Sequence, residues 1–157
     1  MDPMDPETIR LAPKVVLHDH LDGGLRPATV IALADEVGYD ALPSTDEVQL
    51  ATWFHRGADR RDLGLYLETF EHTVGVMQTA AACHRVALEC AVDLAGDGCV
   101  YAEVRFAPAL HTAGGLRSEE HTSELSHALN SYAVFCSKKK TMLTPTNFAP
   151  FLTVISN

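Results

Sequence analysis

Apolar and polar positions change period along this chain, and the changes mark its elements. Residues 13–24 read Pro-Lys-Val-Val-Leu-His-Asp-His-Leu-Asp-Gly-Gly. Val15–Leu17 is a short apolar, β-branched run between a proline and a glycine pair, which predicts a buried strand. A period of two sets Leu17, Asp19 and Leu21 on one face and His18 and His20 on the other. The spacing then turns helical. Val30, Ile31, Leu33, Ala34 and Val37 predict a helix opened by Arg26-Pro27 and stopped at Gly38. Ser44-Thr45-Asp46-Glu47 has the capping-box pattern and predicts a short helix through Trp53. Leu63, Leu67, Phe70, Val74 and Met77 predict an apolar helix face over 62–77. Cys83, Val86, Cys90 and Leu94 predict another over 79–95, ended by Gly96 and Gly98. Cys99–Phe106, Cys-Val-Tyr-Ala-Glu-Val-Arg-Phe, alternates and is rich in β-formers, so it predicts a second strand closed by Pro108. Residues 1–10 are polar and are expected to be loose.

Strand, helices, strand is the order of a long crossover between parallel strands, and the fold class is α/β. No internal repeat is visible. Such a start fits the N-terminal part of a (β/α)8 barrel, which needs about 250 residues to close. If the chain begins such a barrel, residues 11–116 are the N-terminal part of that domain and are too few to close it.

Composition divides the chain after Leu116. Residues 1–116 hold 17 Ala with a single Ser and a single Lys, whereas the 41 that follow hold six Ser, three Asn and three Lys. The stretch Arg117-Ser118-Glu119-Glu120-His121-Thr122-Ser123-Glu124-Leu125 resembles an in-frame translation of a sequencing-library adapter. Residues 117–157 are therefore expected to be a non-native or disordered tail. Over the whole chain Lys and Arg number 12 against 21 Asp and Glu, a net charge of −9. That balance argues against nucleic acid or an anionic membrane surface as partner. No apolar run approaches the roughly 20 residues of a membrane span. The N-terminus, Met-Asp-Pro-Met-Asp-Pro-Glu, does not read as a signal peptide. Cys83, Cys90, Cys99 and Cys136 show neither a CxxC pair nor disulfide-like spacing. The expectation is thiols in a reducing, cytoplasmic setting.

The chemistry concentrates at His18-Asp19-His20-Leu21-Asp22. Two histidines at i and i+2 on a strand end point the same way, and one metal ion can sit between their imidazoles. Asp22 falls on the same face one step further, where a carboxylate can take a metal, orient a ligand or accept a hydroxyl hydrogen bond. The C-terminal end of a buried parallel strand is where α/β active sites gather. Polar residues at a strand end are the plainer reading of a bare H-x-H. His55, His72 and His84 read as polar helix positions, and His111, after the second strand, as a solvated loop residue or, second to that, one lining a pocket. Glu103 and Arg105 share a strand face and read as a structural ion set. Tyr66 and Phe70, four apart, read as helix packing or as a hydrophobic wall over a ligand.

Three segments carry a resemblance. Residues 13–34, Pro-Lys-Val-Val-Leu-His-Asp-His-Leu-Asp-Gly-Gly-Leu-Arg and onward, resemble the N-terminus of adenosine deaminases. Leu65–Thr79 and the strand Val-Tyr-Ala-Glu-Val-Arg-Phe-Ala-Pro resemble the same family, in the right order, over roughly residues 11–116. The resemblance implies a (β/α)8 barrel with one catalytic zinc at its C-terminal mouth. It implies hydrolytic deamination of adenosine or 2′-deoxyadenosine to inosine and ammonia, a step of purine salvage. His18 and His20 match two zinc ligands, with His20 also near substrate. Asp22 matches a residue on the ribose side of the nucleoside. Tyr66 and Phe70 match positions flanking the pocket entrance. The remaining zinc ligands, the glutamate that protonates the purine ring and the second catalytic histidine belong to later strands and have no counterpart here. The chain as it stands is thus expected to be inactive. Another amidohydrolase-type deaminase, such as an adenine deaminase, and a non-catalytic binding fragment are the alternatives.

Overall fold

The computed structural model describes residues 5–59, 61–115 and 117, and the backbone of 151–156. The chain opens with α1 (Pro6–Leu11), capped by Asp5, whose carboxylate accepts from the Glu7 and Thr8 amides. Part of the segment expected to be loose is thus helical: an Asp cap followed by proline at the first helical position is a start signal. β1 (Lys14–His20) follows and passes directly into a 3-10 turn, Leu21–Gly23. Four helices come next: α2 (Pro27–Val37), α3 (Glu47–Ala58), α4 (Leu63–Val76) and α5 (Ala80–Gly96). β2 (Cys99–Phe106) returns beside β1, and a second 3-10 turn, Pro108–His111, leaves its end.

β1 and β2 are parallel, as the crossover requires. A third strand, β3 (Phe151–Ser156), lies parallel on the far side of β2, with Tyr101 opposite Phe151 and Phe106 opposite Ser156. The sheet order is β1-β2-β3. These six residues fall within the segment expected to be a non-native or disordered tail, and they form a strand. The β-branched segment pairs with the edge that β2 offers. Cys136, His121 and His127 lie outside the described residues.

Local signals set the helix boundaries. Gly38 ends α2 at φ 68°, the left-handed conformation of a C-cap. Asp46 caps α3 by accepting from the Gln49 amide, and Thr79 caps α5 by accepting from the Ala82 amide. α3 runs to Ala58, beyond the expected end at Trp53, because nothing between them breaks a helix.

The core gathers Leu21, Leu33, Leu50, Met77, Val86, Val104 and Phe106 between the helices and the sheet. α4 departs from expectation. Leu63 and Leu67 are exposed, and the helix buries Thr69, Thr73 and Val76 in their place, while Met77, just past its end, is buried as expected. Close helix approach explains the choice. A Cβ on Gly57 of α3 would overlap the Thr69 methyl, and one on Gly75 would lie 2.7 Å from the Tyr39 ring. The contact thus uses small and branched residues, and the leucines face outward.

β1 also departs. Val15 and Leu17, expected to be buried, are 56% and 60% exposed. The register is irregular between Lys14 and Val15 and between Val16 and Asp19, which breaks the strict alternation. Val15 and Leu17 stand on a face of β1 that leaves both more than half exposed.

Candidate metal and ligand site at the strand ends

The end of β1 brings two imidazoles together. The Nε2 atoms of His18 and His20 lie 3.0 Å apart, with ring centroids at 5.0 Å. Two ligand nitrogens on one ion, each bonded at about 2.0–2.1 Å, stand about 3 Å apart at angles between square and tetrahedral. The pair therefore fits one metal ion without rearrangement. Both side chains are solvent-accessible, which leaves the ion's other positions open. Among the described residues no group of three or more His, Cys, Asp or Glu converges on a metal position. His18 and His20 thus form a pair of imidazoles with no third such group beside them among the described residues.

Asp22 does not continue the strand face, as the period of two had it. β1 ends at His20, and Asp22 lies in the following 3-10 turn, 4% exposed. The turn swings its carboxylate inward, between the ends of β1 and β2. Oδ2 accepts from the Ala107 amide at 3.3 Å and lies 3.9 Å from His111 Nε2. Oδ1 lies 3.8 Å from His20 Nδ1 and accepts no hydrogen bond among the described residues. A buried carboxylate oxygen left this way is costly unless a ligand completes it. The three residues singled out by sequence, His18, His20 and Asp22, are thus brought together.

A wall stands beside them. Phe70 packs edge-on to His20 at 6.4 Å, and Tyr66 packs edge-on to Phe70 at 5.3 Å. Phe70 sits so close to Gly23 that a Cβ there would lie 2.6 Å from the ring. Tyr66 and Phe70 share a cleft of about 320 Å³ with Gly23, Leu25, Phe54 and Thr73. The aromatic pair packs on its own helix and lines this cleft.

His111 corrects the sequence reading most. Expected to be solvated, it is completely buried. Its Nδ1 is 3.1 Å from the Met77 carbonyl, and its ring packs on Phe106 at 6.2 Å. Gln78 clamps the same turn, donating to the Leu110 carbonyl and accepting from the Ala113 amide. The missed signal was Pro108: a proline at the first position of a helical turn brings the residue three further on back beneath the strand end.

Other expected groups are structural here. The Tyr101 hydroxyl donates to Glu103 on the same strand face as Arg105. His72 packs in an aromatic cluster with Tyr39 and Trp53. On the other side of β1, the Cys90 thiol lies 3.9 Å from Asp19 Oδ2, and burial, with Asp19 nearby, pushes it up to about 12. No helix among the described residues is long and apolar enough to cross a membrane.

Comparison with known proteins agrees with this geometry. The adenosine deaminase family profile matches residues 13–146. An adenosine deaminase of Mycobacteroides abscessus is 62% identical over 117 residues, 74% of this chain and 32% of that protein. Adenosine deaminase 1 of Streptomyces coelicolor is 64% identical over 115 residues, 73% of this chain and 29% of that protein. The chain thus spans about a third of the length of the curated relatives it matches. Among solved structures, adenine deaminase from Arthrobacter aurescens superposes with a TM-score of 0.68 at 23% identity, over 92% of this chain and 38% of that one. A zinc-bound amidohydrolase from Burkhoderia ambifaria superposes at 0.68 and 19% identity, over 96% and 36%. At these identities the two structures speak for the fold: the chain is the N-terminal part of a TIM barrel.

Proposed function

The chain belongs to the adenosine deaminase family, and from that premise we propose that it supplies the first part of a barrel that hydrolytically deaminates adenosine or 2′-deoxyadenosine. The supporting observation is one arrangement: two imidazole nitrogens 3.0 Å apart beside a buried Asp22 whose Oδ1 awaits a donor. In this reading His18 and His20 hold one zinc ion, together with ligands from later barrel strands. Zinc, when bound, supplies acidification of a water for hydrolysis near neutral pH. Asp22 accepts a ribose hydroxyl at Oδ1, where a short charge-assisted bond would meet its unfilled acceptor capacity. Phe70 and Tyr66 shield one side of the nucleoside from water along the cleft, and His20, against Phe70, borders both zinc and substrate. The acid and base that move protons on the purine come from beyond the described residues, so residues 1–115 bind and orient but do not complete the reaction. The reading carries a cytoplasmic location, supported by cysteines without disulfide-like spacing.

The test is His18→Ala in the deaminase that carries this segment within a complete barrel. Zinc content and adenosine turnover are both expected to collapse. Retention of both removes His18 from the ligand set and, with it, the reading.

A further inference from the structure

The buried histidine beneath the strand ends has no part in the proposed reaction, yet its ring is aimed at a residue that does. We propose that His111 is a positioning residue that sets the Asp22 carboxylate for its ribose hydroxyl. The inference rests on the reading of Asp22 given above.

Contacts to the ring and to the turn that carries it hold His111 in place. A carbonyl only accepts, so Nδ1 carries the proton that it donates to Met77 O at 3.1 Å. That bond orients the ring, and Phe106 backs one side of it. Gln78 holds the turn that carries His111 against the end of α4. With Nδ1 committed, Nε2 faces Asp22 Oδ2 at 3.9 Å. The Ala107 amide approaches the same oxygen at 3.3 Å. Oδ2 is therefore bounded by β2's end and by His111, and a rotation of the carboxylate would carry Oδ1 from its place 3.8 Å from His20 Nδ1. Both groups are more than nine-tenths buried, so no solvent competes for that orientation. The mechanical chain runs from α4 through Met77, His111 and Asp22 to the strand end that carries the imidazole pair.

The experiment uses the full-length deaminase carrying this segment, with adenosine and its 2′-, 3′- and 5′-deoxy analogues as substrates. The wild type is expected to disfavour one analogue by about tenfold in kcat/KM, the cost of removing a hydrogen bond to a charged group. Asp22→Asn is expected to erase that preference. His111→Asn keeps a donor for Met77 but removes the group facing Asp22. It is expected to erase the preference too, through KM rather than kcat, leaving the disfavoured analogue within about threefold of wild type. His111→Gln, whose longer side chain reaches the position of Nε2 and so bounds Oδ2 again, is expected to restore it. His111→Phe, which keeps the packing on Phe106, replaces Asn if that variant does not fold. Preference lost in Asp22→Asn but kept in His111→Asn overturns the inference alone. Equal losses on every analogue in His111→Asn also overturn it and leave His111 a structural residue. Preference kept in Asp22→Asn overturns the reading of Asp22 and the inference together.

Discussion

The two strands of the site present opposite faces to the same question of burial. β2 alternates as its sequence does: Ala102, Val104 and Phe106 are buried against the helices, while Glu103 and Arg105 stand on the other face. β1 is equally apolar at its start, yet Val15 and Leu17 are mostly exposed and its register slips twice. β2 has a strand on each side, whereas β1 has one. A pleat is enforced by its neighbours, so a central strand realises its pattern and an edge strand does so only in part. His18 and His20 lie on the less constrained strand. Their geometry comes instead from what lies beyond its end: a 3-10 turn, the Phe70 ring and the Ala107 amide.

The largest expected effect separates the strands by stability. Phe106→Ala should cost about 3–5 kcal/mol in urea unfolding of the whole chain, because its ring is 2% exposed. Leu17→Ala should stay within about 0.5 kcal/mol, as surface changes do. Similar losses at both sites would show that β1 is covered in solution and would remove the contrast.

Next in size is a chemical probe of the other face of β1. Burial and the neighbouring Asp19 hold the Cys90 thiol up to about 12, so at pH 8 almost none of it is thiolate. Only the thiolate alkylates, and native Cys90 should react more than about a hundredfold slower than in urea. Mass spectrometry of iodoacetamide-treated chain reads this directly. Equal rates would mean that the helix side of β1 is as open as its other face.

A smaller effect tests the helical layer that stays well packed while β1 does not. Gly57→Ala should cost about 1–3 kcal/mol by forcing α3 from the Thr69 methyl. Adding Thr69→Ser, which deletes that methyl, should recover most of the loss. Gly96→Ala, where a Cβ meets nothing within 4 Å, should change stability by about 0.5 kcal/mol or less. A Gly57 cost that Thr69→Ser does not relieve would place the strain elsewhere.

The same contrast explains what was legible in the sequence. Helix starts were readable because proline and cap residues act over one turn, as at Pro27, Asp46 and Thr79. β2 was readable because its alternation is enforced on both sides. Leu63 and Leu67 were misread because periodicity gives a stripe but not which stripe the neighbour takes, and Gly57 and Gly75 decided that. The His18–His20 pair was legible as a two-residue spacing. The inward swing of Asp22 was not, because it depends on a turn that meets Ala107, 85 residues away. His111 was missed for the same reason: its partners, Met77 and Asp22, are distant in sequence.

The central claim is that the end of β1 holds two ligands of one metal ion. Zinc titration of the whole chain, followed by the histidine ring resonances in NMR, tests it most directly. The account predicts that His18 and His20 shift together, at one zinc per chain, while His55, His72, His84 and His111 hold still. Zinc moving only one of the pair, or moving the other histidines as strongly, would contradict it.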